Sequence, residues 1–216
     1  MNAKLVATTV PCPDLVAQGI KTGDDLIAYC ARVSNPSNQT NTATAPKLLA
    51  YCIRHGHWSV FETASMTVEI ETSRAIAAQL LRHRSFTFQE FSQRYAVSSA
   101  VEPIELRTQD QKNRQASGEV ITDPDLQRGV DAIVADAYEM YGCLVARGVS
   151  KETARMILPL ATRTRMYVTG NVRSWLHYFE QRCAEHTQKE HRELAEKTRE
   201  IFAQQFPAVW AAVRPD

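Results

Sequence analysis

An apolar helical run that passes directly into a cluster of bases constrains this chain more than any other feature. Ile76, Ala77, Leu80 and Leu81 recur at helical spacing, and Arg82, His83 and Arg84 follow at once. Part of that charge therefore shares the face the helix would bury. Guanidinium groups withdrawn from water need anionic partners, because an unpaired buried charge costs more than packing returns. Bases at a helix C-terminus also offset the macrodipole, which accounts for one or two of them. It does not account for the continuation to Tyr95, where Phe86, Phe88 and Phe91 alternate with Glu90, Ser92 and Arg94. Gln79 and Arg82, three residues apart, share a helix face while His83 points about 100° away, so one helix end can address two ligands.

The anion site has to be local. Across 216 residues the 25 basic and 24 acidic side chains nearly cancel to +1, which leaves no global field for nucleic acid or an anionic membrane. Five cysteines, an odd number without a CxxC pair, imply reduced thiols. No stretch of eighteen apolar residues and no leader-like N-terminus is present, so a cytoplasmic protein is expected.

Strands are expected at residues 4–10, at 64–72, where Met66, Val68 and Ile70 alternate with polar residues, and at 166–169. Helices are expected at 24–33 after a Thr22 or Asp24 cap, from Pro46 to a stop at Gly56, after Ser73, over 125–147, after Ser150, and from an Asn171 cap onward with a break near His186. Residues 102–123, polar and charged, read as a surface excursion. Arg173 and His177 share one helix face, whereas Arg182 lies about half a turn round and roughly 13 Å along the axis. Either the helix breaks or these residues serve different pockets.

The run Arg82-His83-Arg84, the seven residues 85–91 and then Ser92 resemble the signature of the flavin-dependent thymidylate synthases, which methylate dUMP without a cysteine nucleophile. Further matches at 32–34, 55–62, 155–160 and 171–182 extend the resemblance over most of the chain. It implies de novo dTMP synthesis by reductive methylation of dUMP, with methylenetetrahydrofolate as one-carbon donor and NADPH as reductant through bound FAD. With no GxGxxG present, a dinucleotide would bind outside a Rossmann unit. By the resemblance, FAD would be held by His57, Ser59, Glu62, Arg82, His83, Arg84, Glu90, Asn171, Val172, Arg173 and His177. dUMP would be held by Gln79, Leu80, Leu81, Arg82, Glu90, Phe91, Ser92, Gln93, Arg94, Arg155 and Arg182, with Arg182 as the catalytic residue that polarises the uracil ring.

Pattern and resemblance together imply one α+β domain over residues 1–216, with a central mixed sheet flanked by long helices. The resemblance adds a homotetramer with sites at subunit interfaces, and no metal, nucleic-acid or membrane partner. Two positions depart from the family pattern: His177 stands where some relatives carry Asn, and Arg163 replaces a frequent aromatic. Three other readings compete. His55, His57 and Glu62 could ligate a metal, although no fourth ligand sits at familiar spacing. The rings between Arg82 and Tyr95 could form a stacking platform for single-stranded nucleic acid. The third is a structural oligomer without catalysis.

Overall fold

The computed structural model describes residues 1–213. In chain order its strands are β1 (Asn2–Thr8), β2 (Ser65–Ser73), β3 (Thr87–Glu90), β4 (Arg107–Gln109), β5 (Ser117–Val120) and β6 (Arg163–Asn171). The helices are α1 (Pro13–Ala17), α2 (Gly23–Ala31), α3 (Ala45–Arg54), α4 (Arg74–Leu80), α5 (Pro124–Ala146), α6 (Lys151–Ala154), α7 (Val172–Arg182), α8 (Lys189–Gln205) and α9 (Pro207–Val213).

Four strands form one sheet in the order β1-β2-β6-β3, and every pairing is antiparallel. This corrects the expected mixed sheet: no neighbouring pair has the parallel crossover that a mixed sheet needs. Alternation in β2 and β6 decides which face is buried. Met66, Val68 and Ile70 stand opposite Gly170, Val168 and Met166, and all six point into the core. The opposite face carries Glu69, Glu71, Arg165 and Tyr167, as expected for an antiparallel sheet solvated on one side. Helices α7 and α8 close the buried face with Trp175, Phe179, Leu194 and Phe202, each 5% exposed or less.

Local chemistry sets the helix ends near the site. Ser73 accepts from the Ile76 N–H and starts α4, and Asn171 Oδ1 accepts from the Ser174 N–H at 2.8 Å and starts α7. Thr22 caps α2 in a reciprocal box with Asp25. Asp24 is instead buried against the start of α9, where the Ala208 and Val209 amides donate to it; burial still raises its pKa above the usual carboxylate range. Gly56, at φ +69°, lets the chain leave α3 so that the His57 N–H turns back to the Cys52 carbonyl.

Two elements add to what the sequence suggests. Strand β3 lies among residues whose aromatics suggest ligand contact, and only its pairing with β6 makes it a strand. Residues 102–123 carry a β4–β5 hairpin tied to α8 by ion pairs of Arg107 with Glu190 and of Lys189 with Glu105.

Candidate active site

The basic run leaves the helix before it can be buried. Helix α4 ends at Leu80, so Arg82, His83 and Arg84 lie on a turn rather than on a helix face, and Gln79 and Arg82 lose the shared face that uninterrupted helix would provide. Arg82 and Arg84 are exposed, without an ion-pair partner among the described residues, while His83 turns inward. Phe86 anchors the turn: its ring packs 4.5 Å from Trp175 and over Gly170, where a Cβ would come within 2.3 Å of the ring. Only glycine on β6 permits that approach.

The expected site residues gather in three places. The first is a cavity of about 960 Å³ at the start of α7, lined by Glu62, Asn171, Arg173 and His177 together with Trp58 and Trp210. Arg173 donates to Glu62 at 2.5 Å. Asn171 acts both as cap, through Oδ1, and as cavity lining. His57 and Ser59 lie exposed on the preceding corner, outside the lining. Val172 is committed to the core, its side chain buried and its N–H donated to the Ala64 carbonyl.

The second place gathers Gln79, His83 and Arg182. Arg182 Nε–H donates to His83 Nε2 at 2.9 Å, and the two terminal guanidinium nitrogens find no hydrogen-bond partner among the described residues. Burial, then the charge of Arg182, hold His83 down at about pKa 4, so it accepts this bond as a neutral ring. Leu80 belongs to the core beside this cluster, whereas Leu81 is exposed.

The third place is the end of β3 and the loop after it. Arg74 donates to Glu90 Oε1 at 2.9 Å and to the Phe91 carbonyl at 3.0 Å, and Thr164 also donates to Glu90 Oε1. Ser92 is exposed, Gln93 is buried with its amide nitrogen unpartnered among the described residues, and Arg94 pairs with Glu152, whose carbonyl accepts from Arg155. Helix α7 runs unbroken from Arg173 to Arg182 and the chain interrupts only beyond it, so a break does not bring Arg173 and Arg182 together. They face different places within one chain.

Several contributors left little trace in the sequence. Arg74 directly follows the Ser73 cap, Ser85 falls in the seven-residue stretch 85–91, and His191 lies in the C-terminal helical region, with nothing in the sequence to single them out. His191 is completely buried, donates to Gln79 Oε1 at 3.1 Å, and is held down at about pKa 3 by burial and by Arg182.

The competing readings lose their geometry. Among the described residues no three His, Cys, Asp or Glu side chains are grouped to hold a metal, and His55 instead packs 4.2 Å from Tyr51. Phe86 is buried, so the rings between Arg82 and Tyr95 do not make one open stacking face. No described helix is long and apolar enough to cross a membrane.

The two buried histidines make stability depend on pH. Unfolded, each would take up a proton near pH 6.5; folded, they stay neutral down to about 4 and about 3. Their contribution is therefore fully present above the unfolded value and is lost as pH falls below it. Urea unfolding at fixed protein concentration should show stability falling from pH 7 to pH 4, and His191→Asn should remove about one of the protons taken up on unfolding. An unchanged slope in the variant would contradict this assignment.

Comparison with known proteins identifies the family and the fold. The family model described as thymidylate synthase complementing protein matches residues 15–208. The chain is 50% identical over 217 aligned positions to a probable flavin-dependent thymidylate synthase of Paramecium bursaria Chlorella virus 1, and 48% identical to the flavin-dependent thymidylate synthase of Synechocystis, each alignment covering 99% of both chains. Its fold superposes, at a TM-score of 0.79 and 26% identity, on the crystal structure of a UMP/dUMP methylase, PolB from Streptomyces cacaoi bound with 5-Br dUMP, covering 98% of this chain and 93% of that one. With a family model spanning most of the sequence and relatives aligned from end to end, the chain belongs to the flavin-dependent thymidylate synthase family.

Proposed function

We propose that this protein is an FAD-dependent thymidylate synthase that converts dUMP to dTMP, taking the one-carbon unit from methylenetetrahydrofolate and reducing power from NADPH. The observation that carries this reading is the state of Arg182: a guanidinium oriented by a neutral histidine through Nε, its terminal pair of donors without a hydrogen-bond partner among the described residues. Such a fork suits the carbonyl and ring nitrogen of a pyrimidine, and a fixed positive charge there favours the electron-rich base that attack from C5 requires.

The α7 cavity fits a flavin nucleotide. It combines the guanidinium of Arg173 and a helix N-terminus, both suited to phosphate, with indole surface from Trp58 and Trp210 for a ring system. Bound there, the flavin would supply hydride transfer. His177 and Asn171 would orient it, and Glu62 would hold Arg173 in place.

Ser92 reads as a donor to the substrate phosphate rather than a nucleophile. The carboxylate nearest it in sequence, Glu90, is already engaged by Arg74 and Thr164, so the hydroxyl lacks the adjacent base that activation needs.

A homotetramer with pockets at subunit interfaces completes the proposal. In one chain the three groups do not converge, and a symmetric assembly can bring different faces of different copies together. Helix α5 supports this: of its 23 residues only Tyr141 is buried, while Leu126, Ile133 and Met140 are 49%, 70% and 54% exposed. An apolar stripe of that length calls for a partner. The visible spectrum and the solution mass of the purified protein test the reading together. Flavin absorbance with the mass of four chains is expected, and a stable colourless monomer indifferent to added FAD would overturn it.

A further inference from the structure

Gln79 has an amide whose direction is dictated from a distance. Gln79 Nε2 donates to Gln188 Oε1 at 2.6 Å, and Gln188 Nε2 donates to Glu190 Oε2 at 2.9 Å. Glu190 is a carboxylate, which ordinarily only accepts, and Arg107 holds it from the other side. Each amide in the series therefore has its nitrogen toward Glu190 and its oxygen away from it. The last oxygen, Gln79 Oε1, faces His191 Nδ1 at 3.1 Å, so Nδ1 carries the ring proton and donates. His191 Nε2 is then left bare, in agreement with its being buried without a hydrogen-bond partner among the described residues.

With Oε1 turned onto the buried ring of His191 and one Nε2 hydrogen taken by Gln188, the group Gln79 can turn toward a ligand is its second N–H, a donor. Reversed, the same amide would offer an acceptor. A uracil edge shows two carbonyl acceptors, whereas the cytosine edge replaces one of them with an amino donor, so the direction of this amide bears on which pyrimidine is accepted.

We infer that His191 and the Gln188–Glu190 pair are positioning residues that lock the Gln79 amide with its donor toward the base, and so tune the site for a uracil nucleotide. This rests on the reading of Gln79 as a substrate residue. His191 touches neither base nor cofactor in this scheme and acts through Gln79. Complete burial keeps the ring neutral, so its donor role does not change across the working pH range.

The test measures dUMP and dCMP binding by calorimetry to the flavin-loaded protein, with kcat and KM for dUMP, in Gln79→Ala, His191→Leu, His191→Asn and the Gln79→Ala/His191→Leu double variant. Gln79→Ala and His191→Leu are each expected to weaken dUMP about tenfold with kcat changed little, as for one lost hydrogen bond. His191→Leu should also narrow the preference for dUMP over dCMP. His191→Asn, whose amide can place a donor near the position of Nδ1, should bind close to wild type. The double variant should be no worse than Gln79→Ala alone, because both changes remove the same contact. If Gln79→Ala weakens dUMP while folded His191→Leu binds it normally, the inference fails and the substrate role of Gln79 stands. If Gln79→Ala itself has no effect, both fail. Should His191→Leu not fold, nitrogen NMR of the wild-type imidazoles decides: a protonated Nδ1 on His191 is expected, and a protonated Nε2 overturns the inference.

Discussion

Arg182→Ala is expected to stay folded and flavin-loaded while dUMP-dependent oxidation of the reduced flavin slows by on the order of 10²- to 10³-fold, the usual cost of removing one preorganised donor from developing charge. The physical reason lies in how the guanidinium is held. Its Nε–H is used by His83 Nε2 at 2.9 Å, which fixes the plane of the group and leaves the terminal nitrogens as a two-donor edge. A charge oriented before the reaction stabilises the transition state more than the bound substrate, so the loss should fall on turnover more than on dUMP affinity. Arg182→Lys should recover little, because a single ammonium cannot donate to His83 and also present a planar fork. If Arg182 only filled the helix end beside Cys183, both variants would turn over normally. Near wild-type oxidation rates in either folded, flavin-loaded variant would remove Arg182 from its role.

Trp175→Ala should cost about 3 to 5 kcal/mol of stability, in the range for truncating a large buried aromatic. Trp175 is fully buried, its ring packs against Phe86, Tyr178 and Phe179, and its Nε1–H donates to the Met66 carbonyl in the middle of the sheet at 3.1 Å. Truncation therefore opens a large cavity and also removes a buried hydrogen bond, which places the cost at the upper end of that range. Against a total stability of roughly 5 to 15 kcal/mol, this is a large fraction. Trp175→Phe separates the two contributions, since it keeps most of the ring but loses the donor, and should cost about 1 to 3 kcal/mol. Because Phe86 rests on Trp175, Trp175→Ala should also release the turn that carries Arg82, His83 and Arg84 and reduce flavin retention. Urea denaturation at fixed protein concentration reads the first effect and the flavin-to-protein absorbance ratio the second. A loss below 1 kcal/mol with full flavin occupancy would contradict both.

Local chemistry was legible in the residues themselves. Ser73, Thr22 and Asn171 carry oxygens that can satisfy the free amides of a helix start, and each caps a helix in the structure. The alternation of Met66, Val68 and Ile70 has only one half-buried solution, and β2 adopts it. The same holds for family membership, because the motif from Arg82 to Ser92 and its companions are strings of residue types that need no coordinates to be compared.

Long-range pairing was not legible. Strand β3 is four residues long and has no alternation strong enough to announce it; its backbone groups become a strand because β6 offers them partners. The all-antiparallel arrangement has the same cause, since strand direction depends on which strands meet and not on what each strand contains. Helix α5 shows the limit from the other side. Its stripe of Leu126, Val130, Ile133, Ala137, Tyr141 and Leu144 recurs at helical spacing, yet the folded chain buries only Tyr141 of the six and leaves Leu126 and Ile133 exposed, because amphipathicity states that a face wants burial without naming what buries it.

Within the candidate site the division is the same. The sequence by itself determined which side chains have the chemistry for an anionic, ring-bearing ligand and so stand as candidates: Arg82, Arg84, Arg173 and Arg182, with Gln79, Asn171 and Ser92 among them. Only the tertiary structure decided what each one does in the fold. It sent His83 inward to orient Arg182, spent Val172 and Leu80 on the core, engaged Glu90 with Arg74, and placed His191 behind Gln79. The physical reason is that a side chain's chemistry is carried by its own atoms, whereas its burial, its pKa and its hydrogen-bond direction are set by neighbours that lie, for Gln79 and His191, 112 residues away along the chain.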